Sequence, residues 1–464
     1  MKKVFVFCIG GTGIRVMKSI IMLMASGMDT NGYKIVPVII DPHLDLEEKK
    51  NLLNLISNYV EIYKKATQDV ETLNPLGGFF TSELITLGML DGHVNDNYQF
   101  AGSNEMFRSY INASNLDVND INNFFIETLF STKNLNSALS VGFKGNPNVG
   151  TVVLGERIEK DDWYKGFKTQ FQDGDRVMII SSIFGGTGAS GYPLLEKKIR
   201  RINNNEAIKK VVMGAVTVMP YYALRDPSPT NSDIDSSNFF TKTRAALAYY
   251  ENTVESDYLY YIGEKQLRQV FDNDEKKQED TAHFIELIAA TALFDFLKRE
   301  KPEKTQYLTR AIEDDKESMS LKFLGSGYKD VIKCVADYML LSQLIVDLPN
   351  EWCFPLSKSR DFNESFYKDS SFQKLKSFSD SYKLWYQQLS TNKRAFAPLH
   401  IENPKKMNGW IRNMELDAKN DSYYLLQMIK ASNAKRVTGH SNKFRLFLEL
   451  AYEAIDFYTK KIEL

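Results

Sequence analysis

Two short loops rich in glycine carry the residues whose types and spacing point to chemistry. Ile9 is followed by GGTGIR, and Phe184 is followed by GGTGASG. Each loop comes after an apolar run and before a segment with helical periodicity. Glycine has no Cβ, so loop N–H groups can approach a phosphate, and the next helix adds amides and a favourable dipole. The loops therefore predict phosphate binding, with the hydroxyls of Thr187 and Ser190 as further donors.

A single loop of this kind has simpler interpretations. It is often only a tight connection between a strand and a helix, and GGTGIRV also partly fits a dinucleotide-binding fingerprint. Two such loops at the carboxyl end of one parallel sheet would converge on one anion, which favours phosphate binding. The phosphate-loop pattern that ends in Lys-Ser/Thr does not occur in the sequence.

Strands and helices alternate around these loops. The sequence predicts strands in KKVFVFCIG, YKIVPVIIDPH, DRVMIISS, IKKVVMGAVTVMP and SDYLYYIGE. We predict an α/β fold with a parallel sheet in a domain of residues 1–300, which contains a helical insertion at about 44–135 and a long core helix at about 280–300. Beyond residue 300, helix is favoured in YKDVIKCVADYMLLSQLIV, DSYYLLQMIKAS and SNKFRLFLELAYEAIDFYTKK. Residues 301–464 are therefore predicted to form a mostly helical C-terminal domain.

Composition limits the class of protein. A chain of 464 residues with 43% hydrophobic and 25% charged residues is typical of a soluble globular protein, and its length favours two or three domains. The net charge of −1 gives no general attraction to nucleic acid or to an anionic membrane. Three dispersed cysteines predict no disulfide framework, and the apolar segment VMKSIIMLMASGM is too short to span a bilayer. We expect a cytoplasmic protein with neither a nucleic-acid nor a membrane partner.

These motifs together resemble the tubulin/FtsZ superfamily, whose signature is G-G-G-T-G-[ST]-G. Phe184 to Ser190 takes the place of that signature, and CIGGTGIRV resembles the family's first glycine loop. GFKGNPNVG, residues 142–150, resembles its loop near the terminal phosphate, and GAVTVMPYY resembles its ribose-facing turn. The likeness covers most of residues 1–300 and is closest to divergent bacterial tubulin-like proteins.

The resemblance implies a tubulin/FtsZ-type domain that binds GTP or GDP with Mg²⁺. Gly10 to Gly13 would hold the α- and β-phosphates, Gly185 to Ser190 would hold the β- and γ-phosphates, and Asp41 would reach Mg²⁺ through water. The full implied set of nucleotide-binding residues is Gly10, Gly11, Thr12, Gly13, Arg15, Asp41, Gly145, Asn146, Gly185, Gly186, Thr187, Gly188, Ala189, Ser190 and Glu286.

The sequence also departs from the family. Phe184 replaces the first signature glycine, Leu224 stands where the ribose-contacting acid is expected, and Gly263 beside Glu264 stands where a base-reading Asn is expected. The second base-reading residue falls near His283 or Glu286, and an exposed helix carboxylate is an equal interpretation of Glu286. The expectation that the base is guanine therefore rests on the family resemblance alone. The acidic catalytic string is missing, and the nearest acidic pair, Asp314 and Asp315, is more simply a solvated loop.

Three functions follow. The first is GTP-dependent self-assembly into head-to-tail oligomers or filaments, with slow hydrolysis left open. The alternative is a non-polymerising nucleotide sensor or scaffold that engages a protein partner, with phage defence among the processes considered. A dinucleotide-dependent oxidoreductase is a third interpretation, which leaves the second glycine loop unexplained.

Overall fold

The computed structural model describes most of the chain. The described residues are 2–43, 46–68, 78–98, 104–117, 119–143, 145–224, 238–265, 269–271, 281–312, 327–347, 362, 364–399 and 442–461.

A six-stranded parallel sheet forms the centre of the molecule and confirms the predicted α/β fold. Its strands run in the order β2-β1-β3-β4-β6-β8. The strands are β1 (Lys3–Ile9), β2 (Lys34–Ile40), β3 (Arg176–Ser182), β4 (Val212–Val218), β6 (Tyr258–Glu264) and β8 (Gln306–Ile312). Two short strands, β5 (Tyr222–Leu224) and β7 (Gln269–Phe271), pair with each other. Because β1 lies between β2 and β3, the loops after all three strands meet at one edge of the sheet.

Helices cover both faces of the sheet. In chain order they are α1 (Gly10–Ala25), α2 (Glu47–Thr67), α3 (Leu87–Leu90), α4 (Phe107–Tyr110), α5 (Ile121–Leu129), α6 (Thr132–Leu135), α7 (Pro147–Arg157), α8 (Asp162–Gln170), α9 (Gly186–Arg200), α10 (Glu206–Lys209), α11 (Phe239–Glu251), α12 (Phe284–Leu297), α13 (Tyr328–Asp347), α14 (Glu364–Lys368), α15 (Ser370–Thr391) and α16 (Lys443–Lys461). Helices α1 and α12 pack on each other and on the sheet. Phe5 and Phe7, alternate residues of β1, instead contact Phe167 of α8, so β1 is covered on both faces.

The predicted helical insertion agrees with the described elements between β2 and β3. From residue 46 to residue 170, with the gaps given above, the assigned elements are the helices α2 to α8 and two 3₁₀ turns, Ala113–Asn115 and Leu139–Val141. The predicted long core helix is present as α12, and its side chains are almost all buried.

Strand β8 was not predicted. It lies beyond residue 300 and pairs in parallel with β6, with Tyr258 opposite Gln306. The mostly helical C-terminal part predicted from residue 301 therefore begins with a strand of the main sheet. The strand was missed because it is the last in the sheet and lacks a continuous apolar run. Tyr307 on this strand is 66% exposed.

The described C-terminal helices share the core of the N-terminal part. The predicted helices near 328–347 and 443–461 are confirmed as α13 and α16. Trp385 of α15 is fully buried, and its indole N–H donates to the Ser19 hydroxyl of α1 at 3.2 Å. Asn442 donates to the Lys65 carbonyl oxygen at the end of α2. The helix expected at 421–432 lies outside the described residues.

Within the described residues, no helix combines the length and the apolarity that a membrane span requires.

Candidate functional site

The two glycine loops lie side by side at the carboxyl ends of β1 and β3. A Cβ built on Gly10 would lie 3.5 Å from the Thr187 Cβ and 3.7 Å from the Gly188 backbone N. Gly10 has a φ of +71°, a left-handed conformation that favours glycine over other residues. The loops therefore face one cleft, as the sequence predicted.

The cleft has a volume of about 140 Å³. This is smaller than typical pockets for drug-sized ligands, which start near 300 Å³, so its described part matches phosphate groups rather than a whole nucleotide. Ten of the predicted residues line it, namely Gly10, Gly11, Thr12, Arg15, Asp41, Gly145, Gly185, Gly186, Thr187 and Gly188.

Five other predicted residues do not line this cleft, namely Gly13, Asn146, Ala189, Ser190 and Glu286. Gly13 is in the first turn of α1, where a Cβ would lie 2.7 Å from the Cys8 carbonyl carbon, so this glycine allows close helix–sheet packing. The buried Ser190 hydroxyl donates to the Gly186 carbonyl oxygen at 2.7 Å. The Ser190 hydroxyl thus hydrogen-bonds within the first turn of α9. This geometry does not favour the predicted role of Ser190 as a phosphate donor.

Five helices begin at or beside residues that line the cleft. They are α1, α2, α7, α9 and α11, and none of them has a side-chain hydrogen bond that caps its N-terminus. Helices α4 and α8, away from the cleft, also lack such a cap, whereas α12 and α15 are capped by His283 and Asp369. The first amides of a helix and its dipole favour an anion. The described cleft therefore combines several backbone groups that suit a phosphate.

Gly142, Phe143 and Gly145 form another wall of the cleft. A Cβ on Gly186 would lie 2.9 Å from the Asn146 backbone N and 3.2 Å from the Gly145 backbone N, so the loop packs against the first residue of α9. Gly145 has a φ of +72°. Its carbonyl oxygen accepts a hydrogen bond of 2.8 Å from the Lys242 ammonium of α11. Lys242 was not identified from the sequence, because a lone lysine on a helix carries no motif.

Asp41 follows β2 and is the carboxylate that lines the cleft. It is buried, and its Oδ1 accepts from the His43 backbone N–H at 2.8 Å. Burial raises the pKa of Asp41, against the opposing effects of His43 and Lys49. A single carboxylate at this place suits Mg²⁺, because that ion keeps most of its water ligands and takes few from the protein.

Arg15 is the centre of a buried polar cluster that the sequence did not reveal. Its guanidinium donates to Glu286 Oε1 at 2.7 Å and to Glu48 Oε1 at 2.9 Å. It also donates to the Tyr221 hydroxyl at 3.0 Å, and that hydroxyl donates to Glu286 at 2.6 Å. The four residues come from α1, α2, α12 and the turn after β4, so only the fold brings them together.

The same cluster corrects one interpretation of Glu286. Its exposure is 1%, so it is not an exposed helix carboxylate. Its Oε2 accepts from the His283 backbone N–H at 3.0 Å, which completes a capping box, while its Oε1 accepts from Arg15 and Tyr221. Burial raises the pKa of Glu286, and the positive charge of Arg15 acts in the opposite direction. Both carboxylate oxygens of Glu286 therefore accept hydrogen bonds from within the protein. This arrangement does not favour Glu286 as the residue that recognises the nucleotide base.

A second cavity has a volume of about 390 Å³. It is bounded by α1, α2, the start of α12 and α15, and both Arg15 and Glu286 line it. Arg15 therefore lines both the small cleft and a larger cavity that the C-terminal helix α15 helps to form.

Phe184, the departure from the glycine signature, turns into an aromatic cluster. Its ring lies 4.9 Å from Phe239 and 5.6 Å from Tyr222. These contacts explain how the loop accommodates a large side chain. Among the other departures, Glu264 is buried in an ion pair with Arg394. Asp314 and Asp315 lie outside the described residues.

Comparison of the whole chain with protein-family models and with curated proteins finds no match.

Proposed function

We propose that this chain is a nucleotide-binding protein of the tubulin/FtsZ type, which holds GTP or GDP with Mg²⁺ and self-assembles when the triphosphate is bound. The observation that carries the proposal is the convergence of two glycine loops on one cleft, where Gly10 lies against Thr187 and Gly188. Uncapped helix N-termini supply further amides, and Asp41 supplies a carboxylate for hydrated Mg²⁺.

Guanine specificity and hydrolysis belong to this proposal on the strength of the resemblance alone. The residues expected to read the base are engaged elsewhere, because Glu286 binds Arg15 and Glu264 binds Arg394. Arg15 lines both the cleft and the larger cavity, so the larger cavity is the place we propose for the rest of the nucleotide.

A second candidate is a non-polymerising sensor that engages a protein partner, and one observation favours it. Helix α1 begins at the cleft, and its Ser19 accepts a hydrogen bond from Trp385 of α15. A ligand that shifts α1 would therefore change the packing of the C-terminal helices directly. Light scattering separates the two candidates, because self-assembly predicts a rise in scattering on addition of GTP and the sensor predicts none.

The test of nucleotide binding begins with mass spectrometry of whatever nucleotide copurifies. Calorimetry with GTP, GDP, ATP and ADP then compares the natural protein with Gly186→Val. We expect this variant to lose binding, because its Cβ would meet the Asn146 backbone N at 2.9 Å and displace a wall of the cleft. Gly155→Val on α7 is the matched control, because a Cβ there has open space within 4 Å. Equal affinities of Gly186→Val and the natural protein would overturn the assignment of the loops.

A further inference from the structure

Lys242 lies at the rim of the cleft. It is on the first turn of α11, three residues after Phe239, which lines the cleft. Its ammonium donates to the carbonyl oxygen of Gly145, another lining residue, at 2.8 Å. The cationic end of this side chain is therefore one hydrogen bond away from the wall of the cleft.

Helix α11 contacts both ends of the signature loop, Phe184 to Ser190. Near its start, the Phe239 ring packs on Phe184. Near its end, the Tyr250 hydroxyl donates to the Ala189 carbonyl oxygen of α9 at 3.0 Å. The backbone of Lys242 is thus held in a defined place, while its four-carbon side chain keeps the reach to change partners.

The order of contacts along the signature loop, taken with the proposed function, indicates which phosphate would lie near Lys242. Gly10 contacts the loop at Thr187 and Gly188, whereas Gly145 contacts it at Gly186. If the first glycine loop holds the inner phosphates, the chain of phosphates ends on the side of Gly145. The ammonium of Lys242 lies on that side.

Charge also favours a role for this lysine. Among the described residues that line the cleft, Arg15 is the one arginine or lysine, and Asp41 is the one acid. The positive charge of Arg15 is already shared between Glu48 and Glu286. A triphosphate brings several negative charges into the cleft. Exchange of the neutral carbonyl for a phosphate oxygen pairs the Lys242 ammonium with a charged acceptor, which makes the hydrogen bond stronger.

We propose that Lys242 is a specificity-determining residue that binds the terminal phosphate and distinguishes a triphosphate from a diphosphate. On binding, its ammonium leaves the Gly145 carbonyl oxygen for an oxygen of the terminal phosphate. This inference rests on the proposed function and adds to it the group that recognises the terminal phosphate.

Calorimetry of the full chain with GTP and GDP, and with ATP and ADP, tests the proposal. Lys242→Met removes the charge and keeps the length, Lys242→Arg restores the charge, and Lys209→Met is the control, because Lys209 is exposed and pairs with Glu206 on α10. We expect Lys242→Met to weaken triphosphate binding about 10-fold and diphosphate binding less than about 2-fold. We expect Lys242→Arg to recover most of the loss and Lys209→Met to match the natural protein.

The melting temperature of each variant without nucleotide shows whether it is folded. Equal losses for the triphosphate and the diphosphate, or no loss for either, would overturn the role of Lys242 while nucleotide binding by the natural protein stands. Absence of binding to all four nucleotides by the natural protein would overturn the proposed function itself, together with this inference.

Discussion

Arg15 shows how one residue connects stability with the site. Its side chain is mostly buried and bridges two carboxylates, Glu48 and Glu286, which are themselves buried. Burial alone would lower the pKa of Arg15, but the charges of Glu48 and Glu286 raise it well above its usual value. The two carboxylates depend on this guanidinium because buried charges without a partner are costly.

Removal of Arg15 is therefore expected to destabilise the protein. We predict that Arg15→Met lowers the free energy of unfolding by about 3 kcal/mol at pH 8, because two buried carboxylates lose their cation. The loss should shrink at pH 5.5, because unpaired buried carboxyls have raised pKa values and take up protons in the folded state. Urea unfolding at both pH values measures this difference. A loss that does not change with pH would show that the carboxylates are not the cause, and Arg15→Lys is the control that keeps the charge.

At the scale of residues, the sequence predicted the places of the glycines better than the hydrogen-bond partners of the polar side chains. Six of the seven glycines in the predicted set line the cleft, all except Gly13, because their place depends on the backbone, which follows from strand and helix positions. The partners of Glu286 and Arg15 come from distant segments, and the direction of the Ser190 hydroxyl depends on the turn of α9. No local pattern contains that information.

Helix α9 carries the signature loop at one end and a buried carboxylate near the other. Glu196 Oε1 accepts from the Ser256 hydroxyl at 2.8 Å and from the Glu255 backbone N–H at 3.1 Å, just before β6. Burial raises the pKa of Glu196 from 4.5 to about 7, against the opposing effect of Ser256. The contact between α9 and the start of β6 is therefore most stable when this carboxyl is protonated.

The expected consequence is a pH-dependent stability. Since the pKa of Glu196 is higher in the folded protein than in the unfolded chain, its contribution is full below pH 4.5 and is lost as the pH rises to about 7. We predict that the natural protein loses up to about 3 kcal/mol of unfolding free energy over this range from Glu196. In Glu196→Gln this part of the pH dependence should disappear, because an amide does not titrate.

Urea unfolding between pH 5 and pH 8 tests this prediction through the difference between the two proteins, in which the other titrating groups cancel. Glu206→Gln serves as the control, because Glu206 is exposed on α10. Parallel curves for the natural protein and Glu196→Gln would contradict the prediction.

At the scale of elements, the buried strands were predictable because they are continuous apolar runs between helices. Strand β8 was not predictable, because it lies at the edge of the sheet beside β6 and has an exposed face. It therefore lacks a continuous apolar run. The short pair β5 and β7 was missed for a similar reason, since three residues are too few to establish a period.

The whole molecule joins the cleft to the C-terminal helices through α1 and α2. Trp385 reaches Ser19, and Asn442 reaches the end of α2, so these helices complete the core that the N-terminal part begins. The sequence indicated that helices follow the sheet, but it gave no sign of where they pack. Packing of distant helices depends on the shape of the assembled surface rather than on local periodicity.

Helix α5 offers the surface for a test of self-assembly. Four large apolar side chains on its nine residues are more than half exposed, namely Ile121, Phe124, Phe125 and Leu129. An exposed apolar patch of this kind indicates an interaction surface. The chain continues from α5 through α6 to Gly142 and Phe143, which line the cleft. A second copy that contacts α5 would therefore lie on the same segment as a wall of the nucleotide site.

We predict that the double variant Phe124→Ser with Phe125→Ser reduces GTP-dependent light scattering by at least about half, because it removes the centre of this patch. Its unfolding free energy should change by less than about 0.5 kcal/mol, because Phe124 and Phe125 are 62% and 55% exposed. Tyr249→Ser on α11 is the matched control, an aromatic residue that is 51% exposed and lies outside α5. Sedimentation velocity at several protein concentrations measures association without nucleotide. Scattering that matches the natural protein in the double variant, with the fold intact, would show that assembly uses another surface.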